Sequence, residues 1–399
     1  MTFPQLTEEG CRGRRERLWS RLPEDIDWCL IGDARHIMYL ANFWLQPMSF
    51  SNGERVLLLL ERSGKATLIG DNFTTRSAAT QAHVDDWAVY EWYTHKKSTI
   101  NRDHAIVHAF RDHCLATCQS GRGMVENESV PGMLWFTFME GGVELEDGEL
   151  NDSFLPPGET ARDVGALLRS MRRQKDPDEV DVLRACMKAG EAGHDWAREN
   201  VRPGATELDL YLGVARAAQD AAGGPAIVYG DFRRASGESP KQGGLPDGGT
   251  LAEGDTFVLD YSIMLNGYRS DFTNAYAVGS VSQDVRDLFA VCQAAMAGGE
   301  SKLAAGTACS DVYDAVKAPF VDAGRGEAFP HHAGHGLGLG HPEWPTLVPE
   351  SSETLLAGDV VTLEPGGYVD GVGGMRIEHN YLVTETGYDR LSNHTIALD

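Results

Sequence analysis

Two hairpins with carboxylates on their arms constrain this chain more than any other feature. In the first, residues 256–261 (TFVLDY) and 271–278 (DFTNAYAV) flank Asn266-Gly267. Asn-Gly is the strongest short hairpin signal, because a type I′ turn needs positive φ at both central residues. With that pair as the loop, Leu265 faces Tyr268, Asp260 faces Thr273 and Asp271 faces Ser262. Residues two apart share a face, so Asp260 and Asp271 point to one side as diagonal neighbours. A one-residue bulge would break that relation. In the second, residues 360–364 and 375–383 flank the Gly-rich turn 370–374. Its centre lies near Gly371, equidistant from Glu364 and Glu378, so the two glutamates sit almost opposite.

Taken singly, these residues are unremarkable. An Asp beside a turn usually caps it, a strand Glu usually faces solvent, and a His in a Gly-rich loop usually does too. Together they mean more. Asp260 follows Val258-Leu259 and Glu364 follows the run 360–363 (VVTL), so both end apolar stretches where an unpaired charge is costly. Four crowded carboxylates repel one another unless cations bind them. His335 stands in Gly334-His335-Gly336-Leu337-Gly338, where glycines let backbone approach closely. Asp260, Asp271, His335, Glu364 and Glu378 are the ligand set that two divalent cations need: carboxylates to neutralise and bridge, an imidazole to add nitrogen.

Bulk properties narrow the partners. The 399 residues suffice for two domains with real cores. A net charge of −24 repels phosphate backbones, so no nucleic-acid partner is expected. Apolar runs such as 56–60 are too short to span a bilayer, so no membrane partner is expected either. The N-terminal stretch MTFPQLTEEGCRGRRERLW has basic residues but no apolar h-region, which points to the cytoplasm. The seven cysteines suggest neither a disulfide framework nor a zinc ribbon, and Cys114 and Cys118 read as chance neighbours.

Along the chain, a helix over 12–22 is followed by strands at 27–32, 55–60, 66–69 and near Trp87, the alternation of an α/β domain. Leu155-Pro156-Pro157-Gly158 reads as a linker, dividing the chain into domains 1–160 and 161–399. Residues 161–200 favour helix, with a start at Asp176-Pro177-Asp178-Glu179, where Pro and acids suit the first turn. Further helices are expected at 206–222, 283–303 and 310–323.

Four segments carry a resemblance: VLDYSIMLNGYRSDFTNAYAVG (258–279), HHAGHGLGLGHPEWP (331–345), GDVVTLEPGGYV (358–369) and GGMRIEHNYLVTETGYDRLS (373–392). In order, spacing and local residues they resemble the M24 metallopeptidases, the methionine aminopeptidase, prolidase and creatinase family. The resemblance covers residues 165–399 well. More loosely, IGDARHIMYLANF (31–43) looks like the N-terminal domain of the prolidase and creatinase branches. The resemblance implies an α/β (α+β) chain, a creatinase-like N-terminal domain followed by a C-terminal pita-bread catalytic domain. It implies a Xaa-Pro dipeptidase or aminopeptidase, a hydroxide bridging two metals attacking an amide carbonyl, and a small-molecule or short-peptide substrate.

Carried over residue by residue, Asp260 would chelate one metal, Asp271 and Glu378 would bridge both, and His335 and Glu364 would hold the other. Mn²⁺ is the first expectation, and the ligand types also tolerate Co²⁺, Fe²⁺ or Zn²⁺. Glu364 would also move a proton, and His341, His331 and Arg376 resemble substrate-side residues of the prolidase branch. His341 comes six residues after His335, where seven is the family spacing. Two further departures stand out. Residues 229–249 lack the histidine that family peptidases carry there, leaving Tyr229, Arg233, Arg234, Ser236 or Lys241 to replace it. His379 stands where relatives often have Asp. These departures keep open a non-peptidase member, such as an ectoine-hydrolase-like amidase or amidine hydrolase or a dimethylsulfoniopropionate-lyase-like enzyme, and a binding protein that has lost catalysis. By analogy a homodimer is expected, with residues 38–50 as a contact or pocket segment.

Overall fold

The computed structural model describes residues 3–45, 54–96, 99–146 and 164–399. The linker at 155–158, the boundary at 160/161 and residues 46–50 of the aromatic segment lie outside them. The chain divides into two compact units, one spanning Gln5–Arg172 and one built on Arg173–Asp399. No helix among the described residues is long and apolar enough to cross a membrane.

The first unit holds a mixed six-stranded sheet of β1 (Trp28–Ile31), β2 (Leu57–Glu61), β3 (Ala66–Asp71), β4 (Asp86–Tyr90), β5 (Arg122–Val125) and β6 (Glu144–Leu145), in the order β4-β3-β2-β1-β5-β6. Pairing is antiparallel within β1–β2 and β2–β3 and parallel elsewhere. Its central strands β1–β3 are mostly apolar and buried on both faces, as a sheet covered by helices requires. Trp28 anchors the core with Phe110 and Phe138 from helices Arg102–His113 and Met133–Gly141. A buried His36–Glu126 contact fixes the exit from β1. The other Glu126 oxygen accepts from the backbone N–H of Gly32 and Asp33, at 2.8 and 2.7 Å.

The second unit carries β7 (Ile227–Ala235), β8 (Thr256–Leu265), β9 (Tyr268–Arg269), β10 (Phe272–Ala277), β11 (Gly334–Gly336), β12 (Glu343–Leu347), β13 (Val360–Leu363), β14 (Gly366–Val369), β15 (Gly373–Arg376), β16 (His379–Val383) and β17 (Tyr388–Arg390). One sheet runs β10-β8-β7 with β9 on β8, another β12-β11-β13-β16-β17, and β14-β15 form a separate pair. The long helix Pro177–Asn200 starts at the expected capping box of Asp176 and Glu179. It packs on the first sheet through Gly190 and Gly193, where a Cβ would drive into Phe272 and Tyr261. Helices Gln283–Glu300 and Cys309–Asp322 cover the second sheet, burying Leu288, Val316 and Phe320 against Leu363 and Tyr381.

The first hairpin has the expected register, with Asp260 opposite Thr273 and Leu265 opposite Tyr268. Its ladder lapses at Asp271, whose backbone N–H and C=O instead bond the Asn380 side chain. The second hairpin also keeps the expected phase, Leu363 opposite His379 and Gly366 opposite Arg376. It differs in being broken. Pro365 has no N–H to give, and the ladder opens between β13 and β14 and between β15 and β16. Glu364 donates its N–H to Ala333 O and Glu378 donates to Thr273 O, each at 2.9 Å. Each glutamate is thus tied by its backbone to a different neighbour.

Candidate metal centre

Those ladder gaps bring the carboxylates together. Asp260 comes from β8, Asp271 from the gap before β10, Glu378 from the gap before β16, and their side-chain oxygens lie within 4.8 Å of one another. His335, on β11, places Nε2 at 3.4 Å from Asp271 Oδ2 and 3.5 Å from Glu364 Oε1. Its Nδ1 donates to Gly336 O at 2.9 Å, which turns the Nε2 lone pair toward the carboxylates. Gly334 and Gly336 make room for this, since a Cβ on either would strike Thr362 O or Trp344 O. All five sequence-derived ligand candidates therefore meet in one place. Asp271 is the common member, shared between the Asp260–Glu378 group and a His335–His341 group.

The donor set fits divalent cations. Ligand atoms each about 2.1 Å from one ion lie about 3.0–3.4 Å apart, close to the His335 spacings above and longer than a good hydrogen bond. Glu378 is 1% exposed; one oxygen accepts from Thr273 Oγ1 at 2.7 Å, while the other is buried without a hydrogen-bond partner among the described residues. Burial and the charges of Asp271, Asp260 and Glu364 push the Glu378 carboxyl well above its usual range. Burial, reinforced by Asp271 and Asp231 against the pull of Arg376, lifts Asp260 to about 6. Burial opposes charge on His335 too, but the Asp271 and Glu364 carboxylates override it and raise the imidazole to about 9. Asp271 goes the other way: burial notwithstanding, His341 and His335 hold it well below the usual range. Such splitting of neighbouring titrations marks a site short of positive charge.

Around this centre stand the other candidates. His341, half-exposed, places Nε2 at 2.7 Å from Asp271 Oδ2. His331 bonds its own neighbour's carbonyl through Nδ1 at 2.8 Å, and its buried Nε2 has no hydrogen-bond partner among the described residues. Arg376 grips Asp260, lies 2.8 Å from Asp231 Oδ2 and donates to Tyr368 Oη at 3.1 Å. Sequence reasoning missed Asp231, which pairs directly with Asp260 across β7 and β8. It also passed over His332, whose Nδ1 is 3.3 Å from Glu364 Oε1, although the His331-His332 doublet was visible. Of the residues offered for the missing histidine, Tyr229 is largely exposed, Arg233 and Arg234 pair with acids, the Ser236 backbone bonds Ser239, and Lys241 lies over the Tyr368 ring. His379 turns away from the centre, its Nδ1 2.9 Å from Ser392 Oγ.

Solved structures of known proteins share this fold. The Xaa-Pro dipeptidase of Bacillus anthracis superposes with a TM-score of 0.74 at 21% identity, covering 97% of this chain and 99% of that one. The X-Pro aminopeptidase of Thermotoga maritima gives 0.74 at 19%, over 97% and 99%. The prolidase of Pyrococcus horikoshii gives 0.72 at 19%, over 98% and 99%. These likenesses establish the two-domain pita-bread architecture. In sequence, an uncharacterized peptidase of Staphylococcus haemolyticus is 29% identical over 241 residues, 58% of this chain. The match spans 66% of that relative's length, just under two thirds. Residues 181–385 fit the description of a single family, and that stretch contains every carboxylate and imidazole of the centre. The chain belongs to metallopeptidase family M24.

Proposed function

We propose that this protein is a dinuclear-metal-dependent hydrolase acting on the amide bond of short Xaa-Pro peptides, as a dipeptidase or aminopeptidase. The observation that carries this reading is Asp271, a buried carboxylate shared by two groups of potential ligands. Asp260, Asp271 and Glu378 would hold one ion, and Asp271, Glu378, His335 and Glu364 the other. With four carboxylates and one imidazole, Mn²⁺ is the first candidate. Bound there, the ions would supply Lewis-acid polarisation of the carbonyl and an acidified water.

The chain's own groups do the rest. Glu364, beside His332 and His335, is placed to take a proton and return it to the leaving nitrogen. His331 offers a substrate oxygen an Nε2 that has no partner among the described residues, and His341 steadies Asp271 from the solvent side. Arg376 keeps Asp260 oriented. A homodimer in the cytoplasm accompanies this proposal by analogy, and light scattering tests the dimer.

The experiment is hydrolysis of Xaa-Pro dipeptides and tripeptides by Mn²⁺-loaded protein, with Asp271→Ala as the blank. Turnover that disappears in the variant supports the reading. No turnover by protein shown to contain metal would overturn it and move the search to small amides, cyclic amidines and sulfonium compounds.

A further inference from the structure

The segment 229–249 carries three cations, and two of them are already matched. Arg233 lies 2.5 Å from Asp247 and 3.3 Å from Glu207, and Arg234 lies 3.5 Å from Asp255. Lys241 makes no ion pair among the described residues. Its Nζ stands 5.5 Å from the centre of the Tyr368 ring, whose hydroxyl touches Arg376. The loop that carries it is pinned on both sides. Gly237 O accepts from Gly371 N at 2.8 Å, Pro240 O lies against Gly374, where a Cβ would collide, and Gly244 N donates to Asp231 Oδ1 at 2.6 Å. Lys241 is therefore an exposed ammonium presented over Tyr368 of the β14–β15 hairpin, whose hydroxyl links through Arg376 to Asp260.

Arg376, the guanidinium bonded to the carboxylates of the centre, is held between Asp260 and Asp231. Asp231, Asp260, Asp271, Glu364 and Glu378 against that single guanidinium leave four negative charges, which two divalent ions would cancel. Lys241 is not part of that balance; it is a point charge with three donors.

We propose that Lys241, rather than Arg376, anchors the free carboxylate of the substrate, and so selects short peptides ending beside the scissile bond. This rests on the peptidase reading above. The test uses full-length Mn²⁺-loaded protein and two probes, L-proline and L-prolinamide, with binding followed by calorimetry. The wild type is expected to favour the acid over the amide by about tenfold, the worth of a charge-assisted contact. In Lys241→Met that ratio collapses toward one, and Lys241→Arg restores it. The KM ratio of an Xaa-Pro dipeptide to its C-terminal amide should move in parallel. A wild type with no preference for the acid, or a Lys241→Met variant that keeps it, would overturn the assignment. If Xaa-Pro peptides are not cleaved at all, the peptidase reading fails, while the proline-to-prolinamide ratio still decides the role of Lys241.

Discussion

Loading the centre with metal should be steeply dependent on pH. His335 is raised to about 9, so at neutral pH it holds a proton that an incoming cation must displace, and Glu378 is raised above its usual range by burial and its acidic neighbours. Each displaced proton costs a factor of ten in apparent affinity per pH unit below the group's pKa. For His335 alone, going from pH 8 to pH 6 weakens binding about 100-fold, or about 2.7 kcal/mol, and Glu378 adds in the same sense. The metal-free fold shows the opposite trend: a raised histidine stabilises it fully below about pH 6.5 and ceases to do so as pH rises through 9. Mn²⁺ should therefore raise Tm more at pH 8 than at pH 6. Calorimetric titration with Mn²⁺ at pH 6, 7 and 8 measures the slope directly. In His335→Gln, which keeps a ligand atom but cannot titrate, the slope of log affinity against pH should fall by about one. Equal slopes in the two proteins, or a pH-independent wild type, would refute the reasoning.

Two further expectations concern stability. Gly336→Ala places a methyl group against Trp344 O, so it should cost roughly 1–3 kcal/mol and lower metal occupancy together, read by urea melting and metal analysis. His36→Leu leaves the buried Glu126 carboxylate without its imidazole, and a loss of about 3–5 kcal/mol should appear in the unfolding of the N-terminal unit.

How much of this was readable beforehand depended on how local each determinant is. The Asn266-Gly267 turn dictates its own pairing, so the Asp260–Thr273 register followed from a two-residue signal. Symmetry about Gly371 likewise predicted the phase of the second hairpin. The gaps in both ladders were not readable in the same way. Asp271 leaves its ladder because Asn380, 109 residues away, takes its backbone groups. The Pro365 break had a visible cause, yet the partners that compensate it, Ala333 and Thr273, come from other hairpins. Asp231 was invisible for a different reason: its place opposite Asp260 depends on how β7 meets β8 across a long connection with no fixed turn.

The long hairpin keeps one phase from Val360 to Leu382 despite its break, with Gly371 at the apex. That makes it a ruler with two arms, and rulers restrict how a gene can change length. One codon inserted between Pro365 and Val369 would slide one arm past the other, carrying Arg376 away from Asp260 and Glu378 out of step with Glu364. Insertions matched on the two arms, or confined to residues 370–372, would leave every pairing below them intact. Variation in the length of this hairpin, whether natural or engineered, is therefore expected at its tip and in balanced steps.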